Sequence, residues 1–296
     1  MSDSIVFLLD VLPSTAECDD ESIARTIQPV GDGSHVLSVF DHGPARGDGI
    51  FETIGVVGRH PQSVEAHLER LAASAASLDL PAPNLPQWRL AIGRAVAALP
   101  EARQSAVRLV LTRGSAAGTP TGWVSATPAT SGFPERETGI SVVLLDRGLP
   151  SDVQERSPWL LAGAKTLSYA VNMASLREAH RRGADDVLFV SSDGYVLEGP
   201  TSTLVARIGD TYVTPPASSG ILAGTTQLAL WEHLDEQGLA GEYRMLTPAE
   251  LLGADAVWLL SSVRLAAPVR SIDGQPVGVD ADRTTSFNAA LLARTD

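Results

Sequence analysis

DVLFVSSDGYVLEGPTSTLVARIGDTYVTP, residues 186–215, holds three β-rich runs separated by turn residues. It reads as strand, Asp-Gly turn, strand, turn, strand. Outward from it the pattern mixes helices and strands. ISVVLLD (140–146) and AVWLLSS (256–262) read as strands, and SLREAHRRG (175–183) closes a helix with a glycine stop. TTQLALWEHLDEQ (225–237) is a helix ending at Gly238, and residues 283–294 form a last helix.

The N-terminal half repeats the mixture. Residues 4–9, 49–57 and 105–112 read as strands, and 86–98 as a helix. SVEAHLERLAASAASLD (63–79) fits a helix with Ser63 as N-cap and apolar residues at 64, 68, 71 and 72. GSAAGTPTGWVSATPATSGFPERETG (114–139), rich in Gly, Ser, Thr and Pro, reads as a loop or interdomain connector. No regular βαβ alternation appears. The reading is α+β in two domains: a smaller one over 1–130, a connector over 131–138, and a larger one over 139–296 that carries Lys165.

Composition narrows the function. The net charge is −13, against nonspecific nucleic-acid binding. Hydrophobic residues make up 44% of the chain and the mean hydropathy is +0.07, enough for a sizeable core. No apolar run reaches the roughly 18 to 20 residues of a membrane span. The N-terminus lacks a basic region and Asp10 interrupts its apolar stretch, so no signal peptide is expected. Cys18 is the single cysteine, which excludes an intrachain disulfide, and no metal site is expected from the His spacing. A cytoplasmic protein is the expectation.

Of 22 basic residues only Lys165 is lysine. Arginine can replace lysines that supply surface charge, but a guanidinium forms no Schiff base. Lys165 lies in WLLAGAKTLSYAVNMASL, with no acidic residue within six positions. Such an apolar setting favours the neutral amine that Schiff-base chemistry uses. Tyr169 follows four residues on and shares a face with Lys165 if the segment is helical. Glu198, before a Gly-Pro turn, either caps that turn or faces a pocket. Gly224, Thr225 and Thr226 precede a helix, where N–H groups and hydroxyls suit a phosphate or merely cap. DHGPARGDGIFETIG (41–55) is glycine-dense but is neither a P-loop nor a dinucleotide fingerprint. Arg70, on the helix HLERLAASA, is either a phosphate ligand or part of a solvated face.

Taken together, RGDGIFET, HLERL, the Lys-then-Tyr pair, DGYVLEGPTSTL and GILAGTT occur in an order and spacing that resembles the class IV (fold type IV) pyridoxal-phosphate aminotransferases. The likeness runs over roughly residues 35–275 and is strongest to actinobacterial 4-amino-4-deoxychorismate lyases. It implies a two-domain fold like that of D-amino acid aminotransferases, with pyridoxal 5'-phosphate (PLP) at the domain interface, a small-molecule substrate and a homodimer. It implies that Lys165 is the Schiff-base lysine and proton shuttle, that Glu198 pairs with the pyridine nitrogen and that Tyr169 contacts the ring hydroxyl. Arg70, Gly224, Thr225, Thr226, Ser262 and Val263 would hold the cofactor, mostly at its phosphate, and Leu222 would pack on the ring. The sequence departs from the family pattern at Thr203, Gln227 and the SAAGTPTG stretch after Arg113-Gly114. The substrate-carboxylate ligand is therefore open among Arg46, Arg108, Arg113 and Arg264, with Arg46 and Arg108 first and Phe51 beside the substrate. The activity implied is lysis of aminodeoxychorismate to 4-aminobenzoate and pyruvate, with D-amino acid or branched-chain transamination as the alternative.

Overall fold

The strand Gly49–Val57 organises the first of two units. The computed structural model describes residues 4–31, 34, 36–115, 118–129 and 132–295. Contacts group the chain into one unit of Met1–Ser131, Ala164–Tyr169 and Arg294–Asp296, and a second of Gly132–Gly163 and Ala170–Ala293. The expected boundary at residues 130–131 lies outside the described residues.

In the first unit β1 (Ile5–Leu9), β2 (Ile27–Pro29), β3 (Gly49–Val57), β4 (His60–Pro61), β5 (Gln104–Thr112) and β6 (Thr121–Pro128) form an antiparallel sheet in the order β2-β1-β6-β5-β3-β4. Helices α1 (Asp20–Arg25), α2 (His42–Arg46), α3 (Val64–Ser77) and α4 (Leu85–Ala98) accompany it. One sheet face carries Ile50, Ile54, Val107, Leu109, Val124 and Ala126, all buried, against Leu68, Leu71, Trp88 and Ile92 of α3 and α4. Each of the buried Val, Leu and Ile side chains contributes about 1.5–3 kcal/mol through burial. Alternate residues along these strands, among them Phe51, Thr53, Arg108 and Ser125, turn to the other face.

β6 corrects the sequence reading, which took 114–139 for a loop. TGWVSATP is a strand between β1 and β5, with Gly122, Val124 and Ala126 buried. Its inward side chains are small because Trp88 lies against Gly122, within 3.3 Å of where a Cβ would stand. Small residues gave it a loop-like composition.

The second unit comprises β7 (Ile140–Asp146), β8 (Asp186–Val190), β9 (Thr203–Ile208), β10 (Thr211–Thr214), β11 (Ala240–Tyr243), β12 (Ala256–Ser261), β13 (Leu265–Ile272) and β14 (Gln275–Pro276). Its order is β11-β10-β9-β12-β13-β7-β8, with β14 on β13. The helices are α5 (Glu135–Thr138), α6 (Val153–Arg156), α7 (Ala170–Arg181), α8 (Thr225–Glu236), α9 (Pro248–Leu252) and α10 (Ala281–Ala293). Both faces of the sheet are buried. On β12, Val257 and Leu259 join one core cluster while Ala256, Trp258 and Leu260 join another with α8 and α10. That is why the strand's AVWLL run is continuously apolar. The expected second strand of the 186–215 run is not a strand: Val196 makes only isolated bridges, to Val190 and Leu246. The next residues instead turn through Gly199, whose N–H donates to Ser202 O.

Candidate active site

Lys165 and Tyr169 do not share a helical face, because α7 begins only at Ala170. The segment lies along the N-terminal part of β3, beyond the residues that pair with β4. Phe51 N–H donates to Lys165 O at 3.0 Å and Leu167 N–H donates to Gly49 O at 2.8 Å. These bonds group Lys165 with the first unit, whereas the linear reading assigned it to the C-terminal domain. Lys165 N–H donates to Ser74 Oγ of α3 at 3.1 Å. Gly47 sits at φ 70° with Ser168 against it, leaving no room for a side chain where the RGDGIFET turn meets this segment.

Phe51 brings the expected residues together. Lys165 Nζ stands 4.6 Å from the ring centroid and Arg108 Cζ 4.2 Å. Tyr169 meets the same ring edge-on at 5.4 Å. The ring quadrupole attracts each cation, by about 0.5–2 kcal/mol. Burial pushes the Arg108 guanidinium below its ordinary value, with Tyr169 acting the other way. Among the described residues no carboxylate pairs with Arg108. Two cations, a phenol and an apolar floor suit an anionic substrate with an apolar part. Arg46 ends α2 and is exposed. Arg113 donates to both oxygens of Asp48 and to the carbonyls of Leu78 and Asp79, so it serves the fold.

Arg70 binds the neighbouring residue on β3 and therefore the opposite face. Its Nε and Nη2 donate to Glu52 at 2.7 Å each. His67 Nδ1 lies 2.7 Å from Glu52 Oε2. Glu52 is fully buried. Burial pushes its carboxyl up, but the Arg70 charge and the hydrogen bonds from Arg70 and His67 outweigh this and hold it at about 2. An ionised carboxylate only accepts, so His67 Nδ1 carries the hydrogen. Burial holds His67 below its ordinary value, against the pull of Glu52. Glu52, His67 and Ser74 were missed from sequence. The signal was present: His67, Arg70 and Ser74 follow the apolar stripe of α3, and Glu52 interrupts an apolar strand.

In the second unit Glu198 and Leu222 meet, Leu222 N–H donating to Glu198 Oε1 at 3.2 Å. Gly224 is the N-cap of α8 and has no side chain to cap it, while Thr225 and Thr226 are buried in its first turn. A Cβ on Gly224 would stand 2.3 Å from Thr203 Oγ1. Ser262 and Val263 lie in the turn between β12 and β13. Arg264 donates to Asp186 at 2.9 Å across buried surface. Among the described residues no metal-binding cluster is found, and no helix is long and apolar enough to cross a membrane.

The model of the amino-transferase class IV family matches residues 49–272. A Mycobacterium tuberculosis protein described as a bifunctional aminodeoxychorismate lyase / D-amino acid transaminase is 47% identical over 254 residues, covering 82% of this chain and 88% of that one. The solved fold IV transaminase of Curtobacterium pusillum is 45% identical with a TM-score of 0.91, over 99% of this chain and all of that one. A PLP-bound aminotransferase structure from Mycobacterium tuberculosis is 41% identical with a TM-score of 0.88, over 98% and 99% of the two chains. The chain belongs to the class IV aminotransferases. It is a PLP-dependent enzyme acting on small molecules, a lyase or an aminotransferase of that class. Its residues fit the cofactor chemically: an amine for the aldehyde, a carboxylate for a protonated ring nitrogen, and a helix start left without a side-chain cap and lined with two hydroxyls for a phosphate.

Proposed function

We propose that the protein is an aminodeoxychorismate lyase, releasing pyruvate from 4-amino-4-deoxychorismate to leave 4-aminobenzoate. The 47% identity to the bifunctional mycobacterial lyase/transaminase carries this reading. Bound PLP supplies an aldehyde that condenses with amines and a protonated ring that accepts an electron pair. Lys165 Nζ is the amine we assign to that aldehyde and the base that takes the proton from the substrate carbon bearing nitrogen. Glu198 holds the ring nitrogen's proton and Tyr169 the ring hydroxyl, with Leu222 against the ring. Arg70, Gly224, Thr225, Thr226, Ser262 and Val263 receive the phosphate end. Arg108, over Phe51 and without a carboxylate partner among the described residues, is the first choice for the substrate carboxylate, ahead of Arg46. The working form is proposed to be a cytoplasmic homodimer.

The test is purified protein with aminodeoxychorismate. 4-Aminobenzoate and pyruvate should form together, and their absence above background would refute the reading. The same relative's second activity favours D-amino acid transamination as a second reading. D-Alanine should then bleach the cofactor's visible band and yield the pyridoxamine form. Borohydride should attach the cofactor at Lys165, the single lysine, and at no other residue but, failing that, the N-terminus.

A further inference from the structure

Arg136 falls in the stretch that reads from sequence as a featureless connector, yet it grips the turn between β12 and β13. Its Nε donates to Arg264 O at 2.7 Å and its Nη2 donates to Val263 O at 2.8 Å. The guanidinium is stacked over Phe133, 4.5 Å from the ring centroid. α5, which carries it, lies directly on β13.

The turn needs such support. Ser261 pairs with Leu265, so three residues, Ser262, Val263 and Arg264, reverse the chain. Leu265 closes the turn at φ 61°, a left-handed conformation that strains a residue with a side chain. Leu265 is buried, and beyond it Asn288 of α10 brackets Ala266, accepting from its N–H at 3.0 Å and donating to its C=O at 2.9 Å. Arg136 secures the near side and Asn288 the far side.

We propose that Arg136 is a positioning residue for the cofactor phosphate; the proposal rests on the assignment of Ser262 and Val263 to that phosphate. In a trans peptide the N–H points opposite to the C=O, and the described chain has no cis peptide. Holding the carbonyls of Val263 and Arg264 therefore fixes the two peptide planes that close the turn, and with them the path of the backbone through Ser262 and Val263. A lysine cannot reproduce this, because it lacks the planar fork that spans two carbonyls.

The experiment compares PLP with pyridoxal, which lacks the phosphate, on the apo forms of wild type, Arg136→Ala and Arg136→Lys, by equilibrium binding. Wild type should prefer PLP. Arg136→Ala should lose about tenfold or more in PLP affinity, as expected for a charged hydrogen-bond pair, with pyridoxal affinity unchanged. Arg136→Lys, which keeps the bulk and charge and guards against misfolding, should show a smaller loss of the same kind. Equal losses for both ligands, or an undiminished preference in both variants, would overturn the proposal alone. A wild type that binds pyridoxal as tightly as PLP would overturn the phosphate reading of the turn and the proposal with it.

Discussion

Replacing Glu52 with glutamine keeps the shape of the side chain and removes its charge. Burial opposes that charge, but Arg70 and His67 hold the carboxyl at about 2, against 4.5 for an ordinary glutamate. At about 1.36 kcal/mol per unit, the gap corresponds to about 3 kcal/mol of stability at pH 7. In Glu52→Gln the Arg70 guanidinium, largely buried, keeps its desolvation and loses its counter-charge. For a domain of this size about 3 kcal/mol lowers the melting temperature by about 6–12 °C. The sign with pH follows from the direction of the shift. A depressed carboxyl contributes fully above the unfolded value of 4.5 and loses its contribution as pH falls toward about 2. Calorimetry of wild type and variant at pH 7 and pH 3 should show the difference shrinking by roughly half or more at the lower pH. A variant melting within about 2 °C of wild type at pH 7, or with the same deficit at both pH values, would refute the assignment of Glu52 as the ionised anchor of Arg70. The double replacement Glu52→Leu with Arg70→Met should recover part of the stability while losing affinity for the cofactor.

Three further outcomes are expected. Gly224→Ala sets a Cβ 2.3 Å from Thr203 Oγ1, so PLP titration should show about tenfold weaker binding, partly restored by adding Thr203→Ala. Ser74→Ala leaves the Lys165 N–H without its acceptor, which costs about 1–3 kcal/mol; calorimetry should register the loss, and kcat should fall more than KM rises. Arg108→Met should raise KM for a carboxylate substrate about tenfold or more with cofactor affinity unchanged, and Arg108→Lys should not rescue it, read from steady-state kinetics.

Much of the local structure was legible in the order of residues. Helices α3, α4, α8 and α10 fall within a few residues of the expected spans, because their apolar periodicity is strong. The candidate residues also stood out one by one. Lys165 was conspicuous as the single lysine, and Gly224, Thr225 and Thr226 as a helix start. β6 was not legible, since its small inward residues reflect the close approach of Trp88 and not a turn.

The sequence by itself determined the inventory: one lysine able to form an imine, the acid at Glu198, the arginines, and the α+β pattern that carries them. Tertiary structure decided how they are used. Only the pairing of residues 165–167 with the edge of β3 brings Lys165, Tyr169 and Arg108 to the one ring of Phe51. Only strand alternation sends Phe51 and Glu52 to opposite faces, so that one meets Lys165 and Arg108 and the other anchors Arg70. Nothing in FPERETG distinguishes Arg136 from any solvated arginine until β12 and β13 bring two carbonyls within its reach. Composition and period are local properties of a chain, whereas the partner of a buried charge is chosen by segments tens of residues away. The separations of 18 residues between Arg70 and Glu52 and 128 between Arg136 and Arg264 are the measure of that.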